Sequence, residues 1–232
     1  GKQPVSLRIV KVSGPPDISI PRFKFDPVAW HSLPWHGNSV VFEPDDAHRQ
    51  LLRRAQELLA ASPIAPLYEV VPVRCLCLNA YRILDPLRRS ELFPGQDSEC
   101  DWDTCHEEVH QRLLPVLQSA DWTCWPLRFE RADCTTVTLA PIGPGLTGAI
   151  SAWSKAAGAA TGLRNGATNR EMLQLTFAFE VFPVEGENAT QARREVARAI
   201  TAIFEKEWGV MEFRSPFVAA WETPTEYKPY GG

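Results

Sequence analysis

The chain has 232 residues, 44% of them apolar and 22% charged, with a formal net charge of −4. This is the balance of a globular protein long enough for one large domain or two small lobes. The acidic balance argues against a nucleic-acid surface, and no apolar run reaches the roughly 20 residues of a membrane-spanning helix.

Residues 5–12 (VSLRIVKV) alternate as a strand, and 13–21 (SGPPDISIP) read as a Pro-rich extended segment. Both belong to a single two-lobed domain over 1–232, and no signal-peptide pattern opens it. An aromatic loop (24–37, KFDPVAWHSLPWHG) leads to a short apolar strand at 38–43. Pro and Asp then precede Leu51, Leu52, Ala55, Leu58 and Leu59 at helical spacing, which predicts a helix over 45–61. Two strands follow, YEVVPV and RCLCLNAYRIL, over 68–84. In the second, simple alternation puts Cys75, Cys77, Asn79 and Tyr81 on one face, and Leu76, Leu78 and Ala80 on the other.

A polar loop at 85–102 precedes a second helix at 103–119, apolar at Val109, Leu113, Leu114 and Leu117. LRFERA and TTVTLAP predict a hairpin over 127–141. The Gly-rich stretch 142–148 lacks the Lys-Ser/Thr pair of a phosphate loop and reads as a turn opening an Ala-rich helix over 145–161. EMLQLTFAFEVFPV (171–184) is the strongest strand signal, followed by a helix at 190–208 and a closing strand at 210–222. Strands and helices mix without strict alternation. That predicts an α+β fold with antiparallel sheets, its two halves of similar element count forming pseudo-symmetric lobes around a central cleft.

Six cysteines, Cys75, Cys77, Cys100, Cys105, Cys124 and Cys134, show no disulfide framework. Cys75 and Cys77 lie too close along one strand to bridge each other. Reduced thiols and a cytoplasmic protein are the expectation. His106 to His110 spell H-E-x-x-H, a zinc-protease pattern in which two histidines share a helix face and Glu107 acts as base. No third ligand on a companion helix motif accompanies it, and Cys100 and Cys105 do not complete a standard zinc spacing. A helix whose histidines flank its apolar stripe is the favoured reading, with no metal.

Five stretches in order, from about residue 22 to the end, carry a family resemblance: RFKFD…PWHGNSVVF, LLAASPIAPLYEVVP, WPLRFERA…TTVTLAP, LQLTFAF and FRSPFVAAWETPTEYKP. Together they resemble a little-characterised fungal and bacterial branch of the 2H phosphoesterase superfamily. The resemblance implies two α+β lobes around a cleft, with one His-x-Thr or His-x-Ser strand from each lobe. One histidine acts as base and the other as acid on phosphodiesters such as 2′,3′-cyclic phosphates, without a metal. This chain departs from the pattern at its centre. Cys77 and Asn79 stand in the His and Thr slots of the first motif, and Gln174 replaces the second histidine while Thr176 is kept.

Gln cannot titrate, and a thiol with an unperturbed pKa of about 8.5 does not replace imidazole near neutral pH without strong tuning. The expectation is a scaffold that has lost its hydrolytic pair, repurposed as a cofactor-free isomerase or cyclase of a specialised metabolite. Cys77, Asn79, Gln174 and Thr176 are the candidate catalytic residues. Tyr81, Phe179, Trp30, Trp35 and Asn38 are the candidates to line the cleft around a small organic molecule. The alternatives are a pseudoenzyme that binds a nucleotide or metabolite without turnover, and a phosphodiesterase working through Cys77 and a loop histidine such as His36.

Overall fold

The computed structural model describes residues 35–84, 101–119, 126–143, 145–163, 173–181, 186–211 and 216–230. The expected strand at 5–12, the segment at 13–21, the loop at 85–100, Trp30, Cys100 and Cys124 lie outside the described residues. The strands are β1 (Gly37–Phe42), β2 (Tyr68–Val70), β3 (Leu78–Leu84), β4 (Leu127–Ala132), β5 (Thr136–Pro141), β6 (Gln174–Thr176), β7 (Ala178–Glu180), β8 (Val210–Met211), β9 (Phe217–Trp221) and β10 (Tyr227–Pro229). The helices are α1 (Asp46–Ala60), α2 (Trp102–Ser119), α3 (Gly145–Thr161) and α4 (Glu187–Glu207).

Eight strands form one curled antiparallel sheet in the order β10-β9-β1-β3-β6-β5-β4-β8, and β2 pairs with β7 in a small second sheet. The fold is α+β. The sheet's centre is the β3–β6 pair, joined at Leu78 opposite Leu175. Leu78, Leu175 and Val137 thus run across neighbouring strands on one face, all buried. The helices cover this face. Phe129 of β4 meets Phe204 of α4 and Trp208 just beyond it, and Tyr81 of β3 meets Trp153 of α3. Leu52, Val109, Leu113, Ile200 and Phe204 are fully enclosed in this layer, each worth roughly 1.5–3 kcal/mol of burial.

The helix expected at 45–61 forms because its ends are specified. Asp45 caps it, accepting from the His48 backbone N–H at 2.9 Å. The His48 ring bridges Asp45 (2.7 Å) and the Trp208 carbonyl (2.7 Å), tying α1 to the end of α4. Gly209, at φ +63°, supplies the left-handed residue that turns the chain after α4 into β8.

Three strand expectations are corrected. The strand expected at 74–84 begins only at Leu78, because 73–75 make a turn of 3-10 helix closed by the Cys75 N–H on the Pro72 carbonyl at 2.7 Å. The long strand expected at 171–184 breaks at Phe177 into β6 and β7, which belong to different sheets. The Phe177 N–H bonds the Thr135 carbonyl, and its own carbonyl is taken by the Val71 N–H (3.0 Å) and the buried Gln56 amide (2.8 Å). Gln56 also donates to the Val71 carbonyl at 2.6 Å, so one side chain of α1 pins both strands of the small sheet. The expected closing strand likewise divides. β8 joins the β4 edge, while β9 lies beside β1 at the opposite half of the sheet.

Candidate functional site

The face of the sheet away from the helices carries three of the residues that the sequence singled out, Asn79, Gln174 and Thr176. Its geometry depends on an irregularity in β3. Pairing with β1 steps from Val40 opposite Tyr81 to Val41 opposite Asn79, which leaves Ala80 as an extra residue. Such a bulge shifts the alternation by one. Asn79 therefore faces away from the helices while Tyr81 faces into them. This corrects the expectation that both share a face. Tyr81 is 0% exposed, its hydroxyl donates to the Leu163 carbonyl at 3.0 Å, and Gly158 leaves room for it, since a Cβ there would sit 3.2 Å from the hydroxyl. Tyr81 is a core residue, not a cleft residue.

Asn79 accepts from the Ser39 hydroxyl at 2.9 Å, and Ser39 in turn accepts from the indole N–H of Trp221. The relay fixes the side-chain amide. Oδ1 is occupied as acceptor, so the Nδ2 donors point onward. Continuing the Leu78–Leu175 register by one residue sets Asn79 beside Gln174. Gln174 is opposite Thr138, and Thr176 is opposite Thr136. Thr138 is opposite Arg131 in β4, whose Nε donates to the Thr138 hydroxyl at 3.4 Å. A polar row thus crosses the sheet from Trp221 through Ser39, Asn79, Gln174 and Thr138 to Arg131. Beside its far end opens a pocket of about 260 Å³ lined by Arg131, Ala132, Asp133, Thr136, Thr138 and Gln174.

The remaining candidates fall elsewhere. Cys77 is 4% exposed, just before β3. Burial, then the neighbouring Cys75, push its thiol far above the ordinary range, and the Tyr227 hydroxyl beside it offsets only part of that. It is held protonated at neutral pH, which corrects its assignment as a nucleophile or acid–base group. Asn38 lies on the opposite face of β1 from Ser39. It is 1% exposed and accepts from the His106 ring at 2.8 Å, so it joins β1 to α2 and does not line the cleft. Phe179 sits in β7, opposite Glu69 in the small sheet, off the polar row. Trp35 is half-buried, and its backbone N–H bonds the Glu222 carbonyl at 2.9 Å beside β9.

The H-E-x-x-H residues lie on α2. The His106 ring is tied to Asn38 and stacks on Trp102 with ring centres 5.8 Å apart; Trp102 stacks in turn on His36. Burial, then the nearby His36, lower the His106 pKa. Glu107 accepts from Gln111 (2.7 Å) and Tyr230 (2.8 Å). Among the described residues no three His, Cys, Asp or Glu side chains converge as a ligand set, and no helix there is long and apolar enough to cross a membrane.

Ser39, Trp221, Thr136, Thr138 and Arg131 were not singled out from the sequence. The alternation of Thr136, Val137, Thr138 and Leu139 is the one visible signal for them: it marks a strand with a hydroxyl face opposite an apolar one. Its adjacency to Gln174 comes only from strand order.

No family model and no curated protein sequence matches the chain. Among solved structures, the fold is similar to that of a conserved protein of unknown function from Agrobacterium tumefaciens str. C58. The TM-score is 0.73 at 13% identity, over 89% of this chain and 88% of that one. At such identity the likeness is one of fold alone.

Proposed function

We propose that the chain is a 2H phosphoesterase-like scaffold whose polar sheet face holds a small organic molecule and acts on it by a non-hydrolytic rearrangement such as isomerisation or cyclisation. The observation that carries the reading is the row of Asn79, Gln174 and Thr138 on three adjacent strands. It consists of neutral amides and a hydroxyl: by the resemblance Gln174 stands in the slot of the second histidine and Asn79 in the threonine slot of the first motif, while the first histidine slot holds the buried Cys77. Amides and hydroxyls orient a ligand and polarise a carbonyl, and aimed at developing charge they lower a barrier without moving a proton. They do not supply the proton transfers of phosphodiester hydrolysis, each typically worth roughly 10²–10⁴-fold. The division of the eight-stranded sheet into four-strand halves meeting at β3 and β6 supports the two-lobed reading.

The second reading, a binder without turnover, is favoured by the same absence of a titratable pair from the row. One experiment addresses both. A panel of small carbonyl- and phosphate-bearing metabolites is screened for stabilisation of the wild-type protein and of an Asn79→Leu/Gln174→Leu variant, and each hit is recovered and analysed. Hits lost in the variant are expected. Recovery as an isomer of equal mass selects the isomerase or cyclase reading, and unchanged recovery selects the binder. Hits that bind the variant equally well overturn the site.

A further inference from the structure

Several arginines of this protein end on carboxylates: Arg49 on Glu43, Arg54 on Glu207, Arg74 on Glu226, Arg112 on Glu108 and Arg193 on Glu180. Arg131 does not. Its Nε donates to the Thr138 hydroxyl, and among the described residues no carboxylate pairs with its guanidinium. Its remaining donors stand at the pocket shared with Thr136, Thr138 and Gln174. Thr138 is 4% exposed. Because its oxygen accepts from Arg131, its own proton is left to donate toward the pocket.

The one acid in the lining is already engaged. Asp133 Oδ1 accepts from the Thr135 N–H (2.7 Å), the Thr135 hydroxyl (2.8 Å) and the Thr136 N–H (2.8 Å), which closes the turn between β4 and β5. The same turn fixes the strand that carries Thr136 and Thr138. The pocket therefore combines one guanidinium without a carboxylate partner, two hydroxyls and one amide, beside an acid whose Oδ1 is held by the turn. A guanidinium flanked by hydroxyl and amide donors matches the oxygens of a carboxylate or phosphate, which it engages through paired N–H bonds.

We infer that Arg131, Thr136 and Thr138 form an anion subsite, so that the ligand of the polar face carries a carboxylate or phosphate group seated there. Its uncharged part then lies over Gln174 and Asn79. The inference rests on the proposed ligand site for its setting, but it adds the chemical class of the ligand and names Arg131 as the residue that selects it.

The test is an NMR titration of the ¹⁵N-labelled protein with inorganic phosphate and, separately, with acetate, against sodium chloride at matched ionic strength. Phosphate, acetate or both should shift the Arg131 Nε–H and the backbone amides of Thr136 and Thr138, and the stronger of the two identifies the group on the ligand. Arg131→Met should weaken this binding about ten-fold or more. Asp133→Asn keeps the turn's acceptor oxygen but removes a nearby negative charge, and should tighten binding severalfold. Equal shifts with chloride, or unchanged anion binding in Arg131→Met, overturn the inference. The two proposals fail separately. Metabolite hits that need Gln174 but ignore Arg131→Met remove the anion subsite and leave the proposed function standing.

Discussion

The two halves of the eight-stranded sheet treat polar side chains in opposite ways. In the half made of β10, β9, β1 and β3, one chain of polar groups is closed within the protein. Trp221 donates to Ser39, Ser39 donates to Asn79, and Ser39 is only 3% exposed. In the half made of β6, β5, β4 and β8, Gln174, Thr136, Thr138 and Arg131 surround a pocket. Hydrogen bonds closed within the protein hold a fold, while donors left facing a pocket are free to meet a ligand. Substitutions at Ser39 and Trp221 should therefore act on stability, and those of the pocket-lining Gln174, Thr138 and Arg131 on binding.

The largest stability effect is expected at Ser39. Ser39→Ala leaves the Trp221 indole N–H and the Asn79 oxygen without their partner, a loss of about 2–4 kcal/mol for two unsatisfied polar groups. Urea unfolding measures it, and phosphate binding at Arg131 should be unchanged. Tyr81→Phe comes next. It removes the bond to the Leu163 carbonyl within the core and should destabilise by about 1–2 kcal/mol with ligand binding intact. A Tyr81→Phe protein of full stability that binds no ligand would return Tyr81 to the cleft.

The pH response tests the helix layer behind the first half, where the His106 ring meets Asn38 of β1. Burial and His36 hold the His106 pKa below its ordinary value, so in mild acid the unfolded chain binds a proton that the folded one resists. Stability contributed at His106 is present above the ordinary histidine range, near about 6.5, and is lost as the pH falls through it. Unfolding between pH 7.5 and pH 5 should be steeper in pH for the wild type than for His106→Gln. Equal slopes would show that the burial of His106 carries no linkage. The smallest stability effect is expected at Gln174, where Gln174→Leu should stay within about 0.5 kcal/mol of wild type while losing ligand binding.

Much of the fold was legible in the sequence, and the reason is physical. α1, α2, α3 and the β4–β5 hairpin carry strong periodicity and end signals, and each lies within a residue or two of its expected bounds. What was not legible depended on contacts between distant segments. The break at Phe177 is made by Gln56, 121 residues away in sequence. The reversal of Tyr81 depends on a bulge against β1, which alternation within β3 does not reveal. The site divided in the same manner. Asn79, Gln174 and Thr176 were singled out through the slots that the family resemblance assigns. Arg131 and Ser39 gain their meaning only from strands placed next to one another, and Cys77 lost its expected role through burial.

The central claim is that this polar face does not hydrolyse phosphodiesters. The direct measurement is product release from a panel of 2′,3′-cyclic nucleotides by the wild-type protein, with Gln174→Leu alongside. The account predicts no nucleoside monophosphate above the protein-free control from either. Wild-type turnover that disappears in Gln174→Leu would contradict it.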